Sequence, residues 1–326
     1  MWKRFLLIFV GIGLFALMLI KIDIPTTLSI LKQTDWFLCL VSLTALIAAI
    51  YFRAIRWSFL LKMQGYAYRA WDSFLVYMTS MYWGNITPGR AGDFVKVLYL
   101  KEDLDLPMGK SMASVLVDRV LDLYLLLILG GLGIITNPMP TDANSTKMIL
   151  AVKILFVILF AISLFAFNKK IGGVLLKAAF QRLMKQAHRD KTDRIFEDFH
   201  EGMEAFYKPS ILVPLFYSLV AYGLAFWACF LLAQSIGLNI SIFYLVFTIS
   251  VVNIVSLLTL LGMGTREWAL FILFGLISIS QEKAMAFSML LLFVGTVLFT
   301  FVCFLCSLLK PLKFKNQKNK IKRRKK

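Results

Sequence analysis

The sequence predicts an all-α integral membrane protein of about six full transmembrane helices plus two re-entrant hairpins of broken helix. These eight hydrophobic units are arranged as an inverted-topology repeat. Three observations predict this fold. The 326 residues are 60% hydrophobic and only 17% charged, with a mean hydropathy of +0.77, whereas soluble domains run near about 45–50% apolar and about 25% charged. Apolar runs approaching the roughly 20 residues that a ~30 Å hydrocarbon core requires recur along the whole chain. Lys and Arg gather in some connections and are nearly absent from others, the asymmetry that orients membrane helices. A water-soluble enzyme and a disordered chain are both excluded.

The elements follow in order. Phe5 to Ile20 comes after the basic start Met1-Trp2-Lys3-Arg4 and lacks a small-residue cleavage site, so it reads as a retained signal anchor. Trp36 to Phe52 is the second span, and Arg53, Arg56, Lys62 and Arg69 follow it. Ser111 to Thr136 and Met148 to Phe167 are two more, separated by a turn rich in Pro, Asn and Thr. Pro209 to Thr265 contains no charged residue, and Ala284 to Leu309 is the last long run.

Basic connections stay on the cytoplasmic side. These are the N-terminus and segments 53–71, 96–110, 168–208 and 310–326, while 21–35, 137–147 and 237–241 face outward. Because 53–71 and 96–110 share a side, residues 72–100 must enter and leave the membrane on that side. The same parity makes 242–280 a second hairpin, entered from outside. Its returning piece, Trp268 to Ser280, would be about 20 Å long as a helix, too short for a full crossing. The chain therefore reads as one polytopic membrane domain over 1–309. Repeat 1 covers about 1–136 and repeat 2 about 148–309, with a cytoplasmic loop at 168–208. In transporters, paired broken segments mark a binding site near the membrane midplane.

Net charge is +18, and ten basic residues with no acid lie between Lys310 and Lys326. A tail placed directly after a span is expected to meet anionic lipid headgroups of the inner leaflet, each basic residue contributing about 1 kcal/mol. No nucleic-acid partner is expected. Cys39, Cys229, Cys303 and Cys306 lie in apolar stretches, and His188 and His200 in a charged loop. No metal site, redox centre or cofactor is expected.

The first break reads Asn85-Ile86-Thr87-Pro88-Gly89-Arg90-Ala91-Gly92-Asp93, with Asp93 the expected N-cap of a half-helix running from Phe94 to Leu100. The second reads Gly262-Met263-Gly264-Thr265-Arg266-Glu267. Broken backbone at membrane depth needs a protein or watery lining, and an Arg there costs at least about 2.5 kcal/mol. Two readings account for Arg90 and Arg266. Arg90 pairs with Asp93 and Arg266 with Glu267 or a carboxylate from elsewhere in the fold, or both arginines hold a phosphate that arrives on a lipid, using guanidinium forks and half-helix N-termini; the two can alternate, the carboxylate releasing the Arg when the headgroup arrives. Asp118, Arg119 and Asp122 lie about 10–16 Å inside their span. Arg119 can pair with Asp122, and Asp118 and Asp122 share a face at i,i+4 and repel if both are ionised, so one of them is expected to be protonated or turned toward another Arg. This trio either snorkels to the interface or lines the cavity. Asn85 and Asn253 are further cavity candidates.

Three stretches carry a resemblance: Asn85 to Leu100 (NITPGRAGDFVKVLYL), Val115 to Leu125 (VLVDRVLDLYL) and Leu261 to Leu270 (LGMGTREWAL). They resemble the flippase-like family named for the transmembrane region of lysylphosphatidylglycerol synthase, over nearly the whole chain apart from the tail. The resemblance implies a polytopic membrane protein that moves a lipid across the bilayer, with Arg90, Asp93, Asp118, Arg119, Asp122, Arg266 and Glu267 as the polar residues of its cavity. Two departures stand out. The family more often has Glu at the position of Asp93, and no Pro precedes Gly262 here. The synthase's soluble catalytic domain has no counterpart before the basic tail, so aminoacyl transfer is not expected.

The leading functional expectation is a transporter of an anionic, phosphate-bearing lipid or lipid-linked headgroup in the cytoplasmic membrane, with both termini cytoplasmic. Arg90, Asp93, Arg119, Arg266 and Glu267 would bind the substrate, and a carboxylate such as Asp93, Asp118 or Glu267 would carry a coupling proton. An accessory subunit for a protein partner in envelope lipid or glycan synthesis is the alternative. A headgroup transferase is a weaker one, since no metal, nucleophile or ATP-binding constellation is found. The acids Glu102, Asp103 and Asp105 are read as a solvated cytoplasmic loop.

Overall fold

The computed structural model describes residues 23–87, 92–136, 150, 154, 157–158, 189–256 and 264–312. Within them all regular structure is helical: α1 (Ile24–Lys32), α2 (Trp36–Met63), α3 (Ala70–Ile86), α4 (Val95–Leu104), α5 (Met108–Thr136), α6 (Arg189–Glu204), α7 (Leu212–Ser235), α8 (Ile242–Val255), α9 (Thr265–Gly275), α10 (Gln281–Leu292) and α11 (Phe299–Leu309). A π-helical turn, Phe293–Leu298, joins α10 to α11.

Trp36–Met63, Pro209–Ser235 and Gln281–Leu309 are long and apolar enough to cross a membrane. α5 has 29 residues and reaches about 43 Å at 1.5 Å per residue. The chain is an all-α integral membrane protein. α2 is started by Asp35, whose carboxylate accepts hydrogen bonds from the Phe37 and Leu38 amides at 2.9 and 3.3 Å.

Both hairpins are re-entrant. α3 and α4 have 17 and 10 residues, and Lys310 ties their outer ends together, bonding Asp72 at 2.9 Å near the start of α3 and Asp103 at 2.8 Å near the end of α4. Burial opposes the Lys310 charge, but its bonds to Asp103 and Asp72 prevail and hold its pKa above the ordinary lysine value. In the second hairpin Tyr244, near the start of α8, donates to the Leu273 carbonyl near the end of α9 at 2.5 Å.

The two halves match element by element: long helix, broken pair, long helix, twice over. Corresponding helices pack reciprocally. α2 and α7 run antiparallel, since Cys39 lies against Ser235, Ser42 donates to the Ala228 carbonyl and Arg56 donates to Ser218. α11 runs antiparallel along α3 through Cys303–Met78 and Asn85–Thr300 contacts, while α5 packs on α8, where a Cβ on Gly133 would come within 2.4 Å of the Phe247 Cβ. Each half thus places its last span on the other half's first half-helix, as a two-fold inverted repeat requires. On α2 the buried residues Ser42, Ala45 and Ala49 form a small-residue stripe at helical spacing that lets α7 approach closely.

Several sequence expectations are corrected. α2 does not end at Phe52 but runs to Met63, so Arg53 and Arg56 lie inside the span rather than in a loop. Segment 21–35 contains α1, whose Pro25 sits in the first turn. Segment 168–208 contains α6, docked on α5 through a Lys110–Glu201 pair at 2.6 Å. The returning half-helix of the first hairpin, α4, starts after Phe94 and extends to Leu104, so Glu102 and Asp103 are helical, and Asp103 also accepts from the Tyr68 hydroxyl at 2.5 Å. The expected span Phe5 to Ile20, most of Met148 to Phe167, the turn 137–147 and the tail beyond Leu312 lie outside the described residues.

Candidate functional site

A charged cluster lies where α2, α4, α5 and α7 meet, and its centre is Arg56. This guanidinium is fully buried. Its Nε and Nη2 donate to Asp118 Oδ1 at 2.9 and 2.5 Å, and Nη2 also donates to the Asp118 carbonyl at 3.1 Å. Its Nη1 donates to Asp122 Oδ1 at 2.7 Å and Ser218 at 2.9 Å. The other oxygen of Asp118 accepts from the Tyr77 hydroxyl at 2.9 Å and the Lys96 ammonium at 3.0 Å. Lys96 is itself buried and stands over the Tyr77 ring at 3.3 Å from its centroid. Asp118 therefore neither snorkels nor lines a cavity: both oxygens are occupied, and it locks half-helix α4 to α5 and α2. The repulsion expected between Asp118 and Asp122 is resolved because Arg56 stands between them.

The expected N-cap role of Asp93 is not realised. Residues 92–94 form a short 3-10 turn, and Phe94 occupies the cap position without a side-chain bond. Asp93 instead reaches across to α5 and pairs with Arg119 Nη2 at 2.7 Å. That interhelical pair is the shorter contact, and Arg119 stands 3.7 Å from Asp122 Oδ2. Arg53 approaches the same oxygen at 3.9 Å and lies over the Tyr222 ring at 4.5 Å. Arg53 and Arg119 are the partly open members, with side chains 13% and 23% exposed.

The electrostatics are unbalanced. Among the described residues Arg53, Arg56, Lys96 and Arg119 face Asp93, Asp118 and Asp122, leaving one positive charge in excess. Arg53 Nε, Arg119 Nε, Asp93 Oδ1 and Asp122 Oδ2 are buried without a hydrogen-bond partner. Buried donors left unmade cost about 1–3 kcal/mol each, and a group bearing anionic oxygens would satisfy the two arginines.

The second break is self-contained among the described residues. Gly264, with φ of 83°, precedes α9, and its amide donates to Glu267 Oε2 at 2.6 Å. The other oxygen of Glu267 accepts from Ser288 at 3.0 Å and pairs with the neighbouring Arg266. Glu267 thereby caps its own helix and neutralises Arg266, which is buried. Of the other candidates, Asn85 donates to Thr300 at 2.8 Å, Asn253 is exposed, and Arg90 lies outside the described residues. No group of residues able to hold a metal ion occurs among the described residues.

Sequence reasoning missed Arg53, Arg56, Lys96, Tyr77, Ser218 and Tyr222. A signal existed for two of them: Ser42, Ala45, Ala49, Arg53 and Arg56 continue one helical stripe, which places both arginines on the face that the small residues bury.

No solved structure matches the chain. A UPF0104 membrane protein of Methanocaldococcus jannaschii is 23% identical over 276 residues, covering 81% of this chain and 82% of its own length. Another, from Pyrococcus horikoshii, is 24% identical over 314 residues, covering 89% and 91%. The family described as the lysylphosphatidylglycerol synthase TM region matches residues 4–303. Since that match takes in both hairpins and the whole charged cluster, the chain belongs to the lysylphosphatidylglycerol synthase TM region family.

Proposed function

We propose that the protein moves a lipid with an anionic, phosphate-bearing headgroup across the cytoplasmic membrane. One observation carries this reading: among the described residues beside the first hairpin break, cations outnumber carboxylates and two partly open guanidiniums keep unused donors. A phosphate would engage Arg119 and Arg53 while its acyl chains remain in the bilayer. Asp93 holds Arg119 when no substrate is present and is displaced when the phosphate arrives. Rocking of one half against the other would then alternate exposure. Arg266 joins this site only if Glu267 releases it, so it is a secondary contact. The basic ends of the helices and the tail are cytoplasmic in this reading, and the chain performs no covalent chemistry.

The test uses liposomes containing the purified protein and a fluorescent anionic phospholipid, with dithionite bleaching of the outer leaflet. Arg119→Gln is expected to slow lipid exchange at least tenfold, the effect of about 1.4 kcal/mol, and Arg53→Gln to slow it several-fold, with probe mass unchanged. An undiminished rate in Arg119→Gln would overturn the assignment.

A further inference from the structure

The last span is jointed where its counterpart in the first half is not. Between α10 and α11 lies the π-helical turn Phe293–Leu298, in which the Phe299 amide reaches back five residues to the Val294 carbonyl, whereas α5 is α-helical over 29 residues. No proline occurs from Gln281 to Leu309, so none forces the wide turn. Burial marks its position. Ala286, Leu290, Val294, Phe299 and Cys303 form a buried row along the span and follow one another at four, four, five and four residues. The step of five falls inside the turn. One inserted residue would rotate everything beyond it by about 100° in an α-helix, and the wide turn absorbs that rotation. A span lacking the extra residue would keep steps of four throughout and bury the same row, so alignment alone does not call for the turn.

The two pieces it joins are bound to different hairpins. α10 belongs with the second, since Ser288 donates to Glu267 at 3.0 Å and the Phe287 and Phe274 rings lie with centroids 5.5 Å apart. α11 belongs with the first: Asn85 donates to Thr300 at 2.8 Å, the Tyr82 and Phe304 rings are 5.4 Å apart, and Lys310 pairs with Asp72 and Asp103. There is room beside the turn, because a Cβ on Gly295 would meet no atom within 4 Å. Turns of this kind are rare and concentrate at functional sites. We infer that Phe293–Leu298 is the hinge about which the two hairpins change tilt relative to each other. The unbroken α5 touches both hairpins, through Asp118 on Lys96 and Gly133 beside Phe247, and keeps them at a fixed separation while they tilt. This rests on the rocking movement proposed above and gives that movement a place in the chain.

Deleting Gly295 removes the inserted residue, restores steps of four and leaves the bonding residues of α10 and α11 on their present faces. The deletion variant is expected to migrate as wild type on size exclusion and to bind acyl-labelled phosphatidic acid in detergent with unchanged affinity. In phosphatidylcholine liposomes it should exchange that lipid about tenfold more slowly. Exchange at the wild-type rate would overturn the hinge. A second measurement does without the deletion. Spin labels are placed at Gln281 and Leu308, about 40 Å apart along a straight helix, in a full-length chain whose four native cysteines are replaced by alanine, and their separation is read by pulsed electron spin resonance. Two separations are expected, in a ratio that shifts when phosphatidic acid is added. A single separation, the same with and without lipid, would overturn the inference even if the deletion variant does not fold. Arg119→Gln tells this hinge from the anion site, because it should slow exchange and still show both separations. Wild-type exchange by Arg119→Gln alongside two separations would remove the anion site and leave the hinge standing.

Discussion

Arg56→Leu is expected to be among the most damaging single substitutions in the chain, lowering stability by about 3–5 kcal/mol, the cost of stranding a buried charge. The removed guanidinium bonds Asp118 through two nitrogens, Asp122 through a third and Ser218 besides, linking α2 to α5 and α7. Without it the two aspartates sit at i,i+4 on one helix with Lys96, Arg119 and Arg53 left to balance them. The measurement is thermal survival of the monodisperse peak in detergent size-exclusion chromatography. A double variant, Arg56→Leu with Asp122→Asn, should recover part of the loss, because it removes the carboxylate whose short bond was to Arg56 and leaves Asp118 paired with Lys96. Recovery separates this charge network from simple packing. If Arg56→Leu alone retained full stability, the cluster would be solvated and its arginines would need no ligand.

Much of this architecture could be read from the residues alone. Charge parity points to both hairpins, and Gly264 marks the start of the returning arm of the second. The charged cluster was legible only in half. Asp118, Arg119 and Asp122 stand out because they interrupt an apolar run, whereas Arg53 and Arg56 lie at the edge of one, where they read as a loop, and Lys96 lies in the expected half-helix, where it reads only as part of a basic connection. A hydropathy boundary falls where charge first appears, yet a helix continues wherever its charged residues find partners. Arg56 finds its carboxylates 62 and 66 residues away, a separation that no local pattern encodes. Asp93 shows the converse. Local rules favour a cap, and the tertiary pairing with Arg119 prevails because that carboxylate is buried and would otherwise leave a cation unpaired. At the second break, by contrast, the acid three residues into α9 does cap its own helix, and the local pairing of Arg266 with Glu267 was within reach of sequence reasoning.

Gly92→Ala is expected to abolish both lipid exchange and recovery of folded protein, and Gly84→Ala to spare the fold while disturbing the site. The two glycines face each other across the first break, and what separates them is the kind of atom an added methyl would strike. At Gly92 the methyl carbon would lie 2.1 Å from the Trp83 carbonyl carbon, 2.3 Å from its oxygen and 2.5 Å from the Gly84 amide nitrogen. All three are backbone atoms of the last turns of α3, so the clash is relieved only by parting the two arms of the hairpin. Overpacking costs about 1–3 kcal/mol where side chains can move aside, and here they cannot. At Gly84 the methyl would lie 2.8 Å from Asp93 Oδ1, the far end of a side chain that can rotate away. Rotation would break the 2.7 Å pair with Arg119 and free that guanidinium. Gly84→Ala should therefore migrate as wild type on size exclusion and yet bind anionic lipid several-fold tighter, because no carboxylate competes for Arg119. Unchanged lipid affinity in a well-folded Gly84→Ala protein would show that Asp93 does not guard the arginine, and the exchange of carboxylate for phosphate at this break would have to be abandoned.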